Sequence, residues 1–294
     1  MHMPLKKSSH FGPFMMLCAA LLFSTGGLLC KFIPWSPLTI NGVRSLFSTL
    51  VFLIYFRATH HKLKFNRTVL FGALCMTGVT TLFIIANKMT TAANAIILQY
   101  TAPVWIILFM ALLFHVRPTK LDIATCAIVF AGILCFFLDS LGSGSMVGNV
   151  IAVLSGVFYG GLFLLNQFPE GDAVSSMVLG QIISAVLMAP MIVRETVFTP
   201  SVLLAVFLLG FFQVGVAYLC FSIGTKYTRP VSASLIAGIE PILNPILVAV
   251  FWGETIAPLS MAGAAIVVIA ILSYNILGAS APSAEAHPAS DISQ

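Results

Sequence analysis

Charge is what this sequence lacks most. Its 294 residues hold 14 Lys and Arg and 9 Asp and Glu, so charged residues make up 8% of the chain, against roughly 25% in a soluble domain. Hydrophobic residues make up 59%. So few polar groups cannot clothe so much apolar surface in water, which excludes an ordinary soluble fold and leaves the bilayer as the solvent. The chain also lacks a Walker loop, so it is not expected to hydrolyse ATP. Its six histidines (His2, His10, His60, His61, His115, His287) lie at termini or in loops, and no His/Cys/carboxylate cluster has metal-ligand spacing. The expectation is therefore no enzyme, no metal and no cofactor. The nearest approach to a serine-hydrolase elbow, Gly142-Ser143-Gly144-Ser145, has the wrong register and reads as a loop. Six cysteines all sit inside apolar runs and read as small buried hydrophobes. A net charge of +5 does not signal nucleic acid, because the basic residues occupy short loops between apolar runs.

Those runs define the architecture. Residues 8–30, 68–87, 89–116, 123–138, 140–169, 173–193, 196–225 and 255–284 contain no Asp, Glu, Lys or Arg. Two further stretches, 38–56 and 231–252, carry one charge each, Arg44 and Glu240. Ten spans are expected, at about 11–33, 38–57, 68–87, 91–114, 120–138, 146–166, 174–193, 200–223, 231–252 and 258–277. Each is near the roughly 20 residues needed to cross hydrocarbon. The first is read as a retained helix, since no small-x-small cleavage site follows it. With the N-terminus in the cytoplasm, alternating spans put ten basic residues in cytoplasmic loops and only Lys31, Lys88 and Arg194 on the other side. Both termini are then cytoplasmic, in a multi-pass protein of the cytoplasmic (inner) membrane.

An internal echo sets the domain plan. Residues 88–134 slide onto 226–272, an offset of 138, and match at twelve of 47 positions without a gap. The matches include Lys88/Lys226, Pro103/Pro241 and Ile133/Ile271. A weaker echo at an offset of 134 relates Gly26-Gly27 to Gly160-Gly161. Fixed-offset similarity marks a repeated architecture. Here the unit is five helices, an odd number, so the second unit enters the membrane from the opposite face. The expected fold is all-α and integral to the membrane: ten transmembrane helices as two inverted five-helix repeats. The expected parts are a cytoplasmic segment (1–10), the first repeat (11–138), a connecting loop (139–145), the second repeat (146–278) and a disordered cytoplasmic tail (279–294). Inverted repeats suit alternating access, because exchanging the conformations of the halves turns an outward-open cavity inward.

Ionisable groups within spans are costly and are the first candidates for function. Glu240 stands before Pro241, with Pro245 one turn on, so the helix is expected to bend or unwind around 236–245. Glu240 and Asn244 share a face at i, i+4. Glu240 reads either as a contact for a cationic or amino group, as a proton-coupling carboxylate, or as a structural acid in a kink. Arg44 reads either as an attractor for an anionic group or as a structural anchor. Helix four carries Gln99 and Tyr100 around Pro103, whereas their repeat mates are Ala237 and Gly238. That asymmetric polar load suits a site shaped for one chiral solute. Gln213, Tyr218, Tyr159, Ser24, Thr80 and Asn87 are further candidates for substrate contact, each with interhelical hydrogen bonding as the alternative.

The segment SPLTINGVRSL around Arg44, and the run GIEPILNPILVAVFWGETI followed by Gly263, resemble the drug/metabolite transporter superfamily in its EamA-type branch. The resemblance covers roughly residues 11–277. Arg44 matches an arginine typical of the second helix, and Pro241, Gly253 and Glu254 fall on the second-half pattern. The first half departs from it, with His115-Val116 where a Gly-Glu pair is expected. The resemblance implies metabolite export or exchange and does not fix the substrate. The expected function is a secondary transporter that moves a small polar metabolite, such as an amino acid, an amine or a related compound, with structural or gating roles for Arg44, Pro103, Pro241, Pro245 and Glu254. The expected partners are a small-molecule substrate and the lipid bilayer, with a coupled proton or counter-substrate, no nucleic acid, and no oligomeric state implied. A passive channel-like facilitator and an intramembrane lipid-handling protein are the alternatives.

Overall fold

The computed structural model describes residues 11–115, 117–140, 145–165, 168, 170–227, 236–255 and 257–280. The expected N-terminal segment, most of the connecting loop and nearly all of the tail lie outside them. In chain order the helices are α1 (Phe11–Ser24), α2 (Gly26–Lys31), α3 (Pro37–Thr59), α4 (Arg67–Met89), α5 (Ala92–Gln99), α6 (Ala102–Phe114), α7 (Lys120–Ser140), α8 (Met146–Leu164), α9 (Ala173–Val193) and α10 (Pro200–Phe207). A π-helical segment (Leu208–Val216) follows, then α11 (Ala217–Tyr227), α12 (Glu240–Trp252) and α13 (Pro258–Ser280). Among the described residues every element is helical. Six helical stretches among the described residues are long and apolar enough to cross a bilayer: 11–31, 37–59, 67–89, 92–113, 173–193 and 200–224.

Local chemistry explains where these helices start and stop. Ser36, Asn66, Thr91, Asp172 and Thr199 cap α3, α4, α5, α9 and α10, each side chain accepting from a backbone N–H in the first turn. Pro37 and Pro200 occupy the first helical position, where proline costs no hydrogen bond. Three helices end on left-handed residues, His60 (φ 54), His115 (φ 55) and Gly253 (φ 73).

The packing of α3 is polar inside and apolar outside. On α3, Thr39, Asn41, Arg44, Ser45 and Ser48 are buried, while Leu46, Leu50, Leu53 and Ile54 face outward. A helix so oriented suits lipid around it and a polar interior behind it. Of the six cysteines, all free, only Cys30 and Cys75 are buried; the other four are half-buried.

Several expected spans are interrupted. The first breaks at Thr25, between α1 and α2. The fourth breaks at Tyr100-Thr101, between α5 and α6. In the ninth, a turn at Gly238-Ile239 precedes α12. Pro103 and Pro241 each stand at the second position of the helix that follows, where a missing N–H is harmless. The eighth is widened into π-helix at 208–216, which nothing in its composition foretells. Within it Gly210 lies against the backbone of Arg44 and Gly215 against Val51 and Ser48, so that segment presses flat on α3. The seventh element runs on to Ser140 and the last to Ser280, each slightly past its expected end.

Contacts fix the run of the chain. Phe11 at the start of α1 meets Tyr227 at the end of α11, with ring centroids 5.9 Å apart. At the far end of that first span, Ile33 accepts a 2.6 Å hydrogen bond from Lys88 Nζ. The start of α8 lies at this second end, where Gly148 abuts Met89 and Thr90.

Candidate functional site

The helix interruptions converge on one cavity in the interior of the bundle. The cavity itself is small, about 30 Å³. Seven polar side chains line it: Arg44 from α3, Thr80 from α4, Gln99 from α5, Tyr159 from α8, Gln213 from the π segment, Tyr218 from α11 and Glu240 from α12. Phe23, Val79, Phe83 and Val214 complete the wall.

Glu240 is buried at the first residue of α12. A carboxylate there stands near the positive end of the helix dipole. The Tyr100 hydroxyl donates to Glu240 Oε2 at 2.7 Å and also lies 3.0 Å from the Ala237 carbonyl. Tyr100 itself stands in the break between α5 and α6, edge-on to Tyr159 with centroids 6.2 Å apart. It touches the site through Glu240 and is not among the residues of the cavity wall.

Arg44 is equally buried. Its Nε donates to Asn41 Oδ1 at 3.1 Å and its Nη2 to the Thr80 carbonyl at 2.6 Å. These bonds aim the guanidinium along the cavity wall. Among the described residues neither Arg44 nor Glu240 takes part in an ion pair. Arg44 and Glu240 thus share one cavity without bridging each other.

The amides are held differently. Gln99 Nε2 donates to Ser155 Oγ at 2.7 Å, and Ser155 Oγ donates on to the Val79 carbonyl at 3.2 Å. Gln213 Nε2 reaches the Phe23 carbonyl at 3.5 Å, while its buried Oε1 has no hydrogen-bond partner among the described residues. Gly26 makes room for Gln213, since a Cβ there would stand 2.6 Å from Nε2. Gly27 does the same for Asn244, whose Oδ1 lies against it.

Three sequence candidates fall away from the cavity. Asn244 points to Gly27, on a different bearing from Glu240, although the two are one helical turn apart. Asn87 is fully buried in α4 outside the cavity wall, its amide without a partner among the described residues. Ser24 bonds back to the Ala20 carbonyl at 2.7 Å in its own helix, which satisfies its hydroxyl locally. Pro241 and Pro245 are buried in α12 and shape its start. Glu254 sits at one end of the bundle, remote from the wall. Sequence reasoning missed Asn41 and Ser155, which support Arg44 and Gln99. The sole signal for Asn41 was its place one turn before Arg44.

The sequence pattern of the EamA-like transporter family matches residues 10–138 and again 146–276. An uncharacterised inner membrane transporter of Escherichia coli K12, YedA, is 26% identical over 255 residues, covering 81% of each chain. An uncharacterised transporter of Archaeoglobus fulgidus is 23% identical over 269 residues, covering 89% of this chain and 95% of that one. A solved crystal structure, described only as that of a protein, superposes with a TM-score of 0.67 over 94% of this chain and 100% of that chain, and its 21% identity speaks for the fold alone. Two matches of one family pattern, laid end to end along a helical membrane protein with a buried polar cavity, make this chain a member of the EamA-like transporter family.

Proposed function

We propose that the protein is a secondary transporter that moves a small polar metabolite by alternating access, and that the metabolite carries both an anionic and a cationic group, as an amino acid does. The observation that carries this reading is the sharing of one buried cavity by Arg44 and Glu240, neither engaged in an ion pair among the described residues. A guanidinium prefers a planar anion such as a carboxylate. A carboxylate prefers an ammonium. A zwitterion satisfies both, and it repays the cost of burying each. The favoured direction is export or exchange, and no catalytic step is invoked.

Alternating access draws support from how the two halves correspond. Their helices break at mate positions, Tyr100-Thr101 and Gly238-Ile239, and end on left-handed mates, His115 and Gly253. Gly72 packs on α9 at Ser176, and Gly210, 138 residues on, packs on α3 at Arg44. The starts of α1 and α8 lie at opposite ends of the bundle. These correspondences favour ten spans in two inverted repeats of five. The distribution of basic residues favours cytoplasmic termini.

Coupling to a proton has its own support. The Tyr100 hydroxyl has one proton and two acceptors in reach. With Glu240 ionised, the phenol donates to the carboxylate. With Glu240 protonated, the carboxyl donates to the phenol oxygen and the phenol to Ala237. The pair therefore keeps the hydrogen bond between Tyr100 and Glu240 in either state of the carboxyl.

The test is counterflow in proteoliposomes. The purified protein is screened for thermal stabilisation by amino acids, amines, carboxylic acids and sugars, and the hits are offered as labelled solutes. Saturable counterflow confined to zwitterions is the expected result. Transport of simple anions or cations alone, or ohmic currents, overturns it.

A further inference from the structure

Both ends of the bundle are tied across the two halves. At one end Glu254 Oε2 lies 2.9 Å from Lys31 Nζ, and Oε1 accepts from the backbone N–H of Ala92 at 2.6 Å. At the other, His61 Nε2 lies 3.0 Å from Asp172 Oδ2. Beside it the Lys64 N–H donates to Ser175 Oγ at 3.1 Å, and Asn66 Nδ2 donates to the Glu170 carbonyl at 3.0 Å. The cavity of Arg44 and Glu240 lies between these ties.

Between the cavity and each tie stand fully buried polar side chains with no hydrogen-bond partner among the described residues. Toward Lys31, Asn87 stands one turn past Phe83 on α4, and Asn244 one turn past Glu240 on α12. Phe83 and Glu240 belong to the cavity wall, and neither asparagine amide bonds to anything described. Both helices run on to that tie, since Lys88 bonds the Ile33 carbonyl and Glu254 follows α12. Toward His61, Ser48 stands one turn past Arg44 on α3. Thr39 bonds the Met191 carbonyl and Gly42 lies against Met188, so α3 and α9 run antiparallel and Ser48 comes nearly level with Gln181. The Ser48 hydroxyl and both polar atoms of Gln181 are unpartnered in the same way. Ser45 and Ser184 adjoin them on the same two helices and share the condition.

A buried polar group without a partner costs stability, so each one calls for a reason. We propose that these residues are stepping sites on the transport path. Asn87 and Asn244 receive the solute between the cavity and the Lys31 end, and Ser48 and Gln181 receive it between the cavity and the His61 end. The proposal rests on the alternating-access reading, under which each pair meets water in one state and is sealed in the other. The groups themselves name the ligand class. An amide or a hydroxyl offers a donor and an acceptor and carries no charge. Such groups suit a polar solute that has both kinds of group, as a zwitterion has. They hold it more weakly than Arg44 and Glu240 do, and weak sites in series let a solute leave. One helical turn is about 6 Å of rise, so a solute of amino-acid size can meet the next site before it quits the last.

The experiment needs no knowledge of the solute. Single reporter cysteines are placed along the path (N87C, N244C, S48C, Q181C) and in the cavity wall (V214C). A small membrane-impermeant methanethiosulfonate is applied to right-side-out and to inverted vesicles. The parent chain, with its own six cysteines, supplies the background. V214C should react from both sides, N87C and N244C from one side only, and S48C and Q181C from the other side only, each well above the parent. If V214C reacts from both sides while the flanking cysteines stay at the parent's rate, the path is overturned and alternating access stands. If V214C reacts from one side or from neither, or all five react from both, alternating access falls and the path with it. A second measurement separates a path from a structural role. Leucine is a near isostere of asparagine without its polar atoms, so N87L and N244L should leave the melting temperature unchanged or raise it, because they remove unpaired buried groups. A fall of several degrees in both would mark the amides as holders of ordered water and overturn the path.

Discussion

Tyr100 and Glu240 stand 140 residues apart in the chain and 2.7 Å apart in space. Each occupies a helix interruption, Tyr100 after α5 and Glu240 at the start of α12. The phenol comes from one half and the carboxylate from the other. Their bond crosses the middle of the repeat architecture, so any movement of one half against the other acts on it.

Replacing Glu240 by Gln keeps the shape and the hydrogen-bond acceptor but removes the charge and the exchangeable proton. Transport of a zwitterion should be lost or uncoupled from a proton gradient, with the protein still in the membrane and monodisperse. Flux with and without an imposed gradient checks this. Transport at the wild-type rate with unchanged pH dependence removes Glu240 from the site.

Replacing Tyr100 by Phe removes a single oxygen behind the cavity wall. Glu240 and the Ala237 carbonyl both lose a partner. A lost bond to a charged group costs about 1.5–3 kcal/mol, so apparent affinity should fall roughly tenfold or more while expression holds. Equilibrium binding of any solute identified by stabilisation gives the number.

Arg44 tests geometry against charge. Lysine keeps the charge but cannot reach Asn41 and the Thr80 carbonyl together, because its ammonium is a single point. R44K should lower both thermal stability and affinity. R44M should abolish binding of solutes that carry a carboxylate. A melting curve and a binding isotherm separate the two effects, and wild-type affinity in R44M overturns the anion contact.

Two glycines should behave differently under the same substitution. At Gly210 a Cβ would meet the Arg44 backbone, with its carbonyl oxygen at 2.6 Å, and backbone cannot step aside. G210A should destabilise the bundle by about 1–3 kcal/mol. At Gly26 the obstacle is the end of the Gln213 side chain, which can swing away. G26A should leave melting nearly unchanged and alter solute affinity by displacing Gln213. Equal melting losses at both positions would contradict this account.

Much of the architecture was legible because membranes leave a coarse code. Charges cannot stay in hydrocarbon, so they mark the ends of the runs, and the observed helices begin within a few residues of those marks. The break near Pro241 was legible for a similar reason, since proline forbids one backbone bond at a known place. The break at Tyr100-Thr101 stands before Pro103 as its mate stands before Pro241, so it has the same local cause. The π segment around Gln213 has none, and it goes with Gly210 lying flat on α3.

The candidate site was legible as an inventory and not as an arrangement. Polar residues in a span are few, so Arg44, Gln99, Gln213 and Glu240 announced themselves by cost alone. Which of them face one another depends on helix rotation. A helical turn of sequence separates Glu240 from Asn244, yet one borders the cavity and the other lies against Gly27. Composition and the 138-residue echo determined a membrane protein of two related halves, because hydrophobicity and repetition are written residue by residue. Tertiary structure alone brought Arg44, Glu240 and Tyr100 together and gave Glu254 its two partners. Long-range pairing is set by how whole helices pack, and no local stretch of sequence carries it.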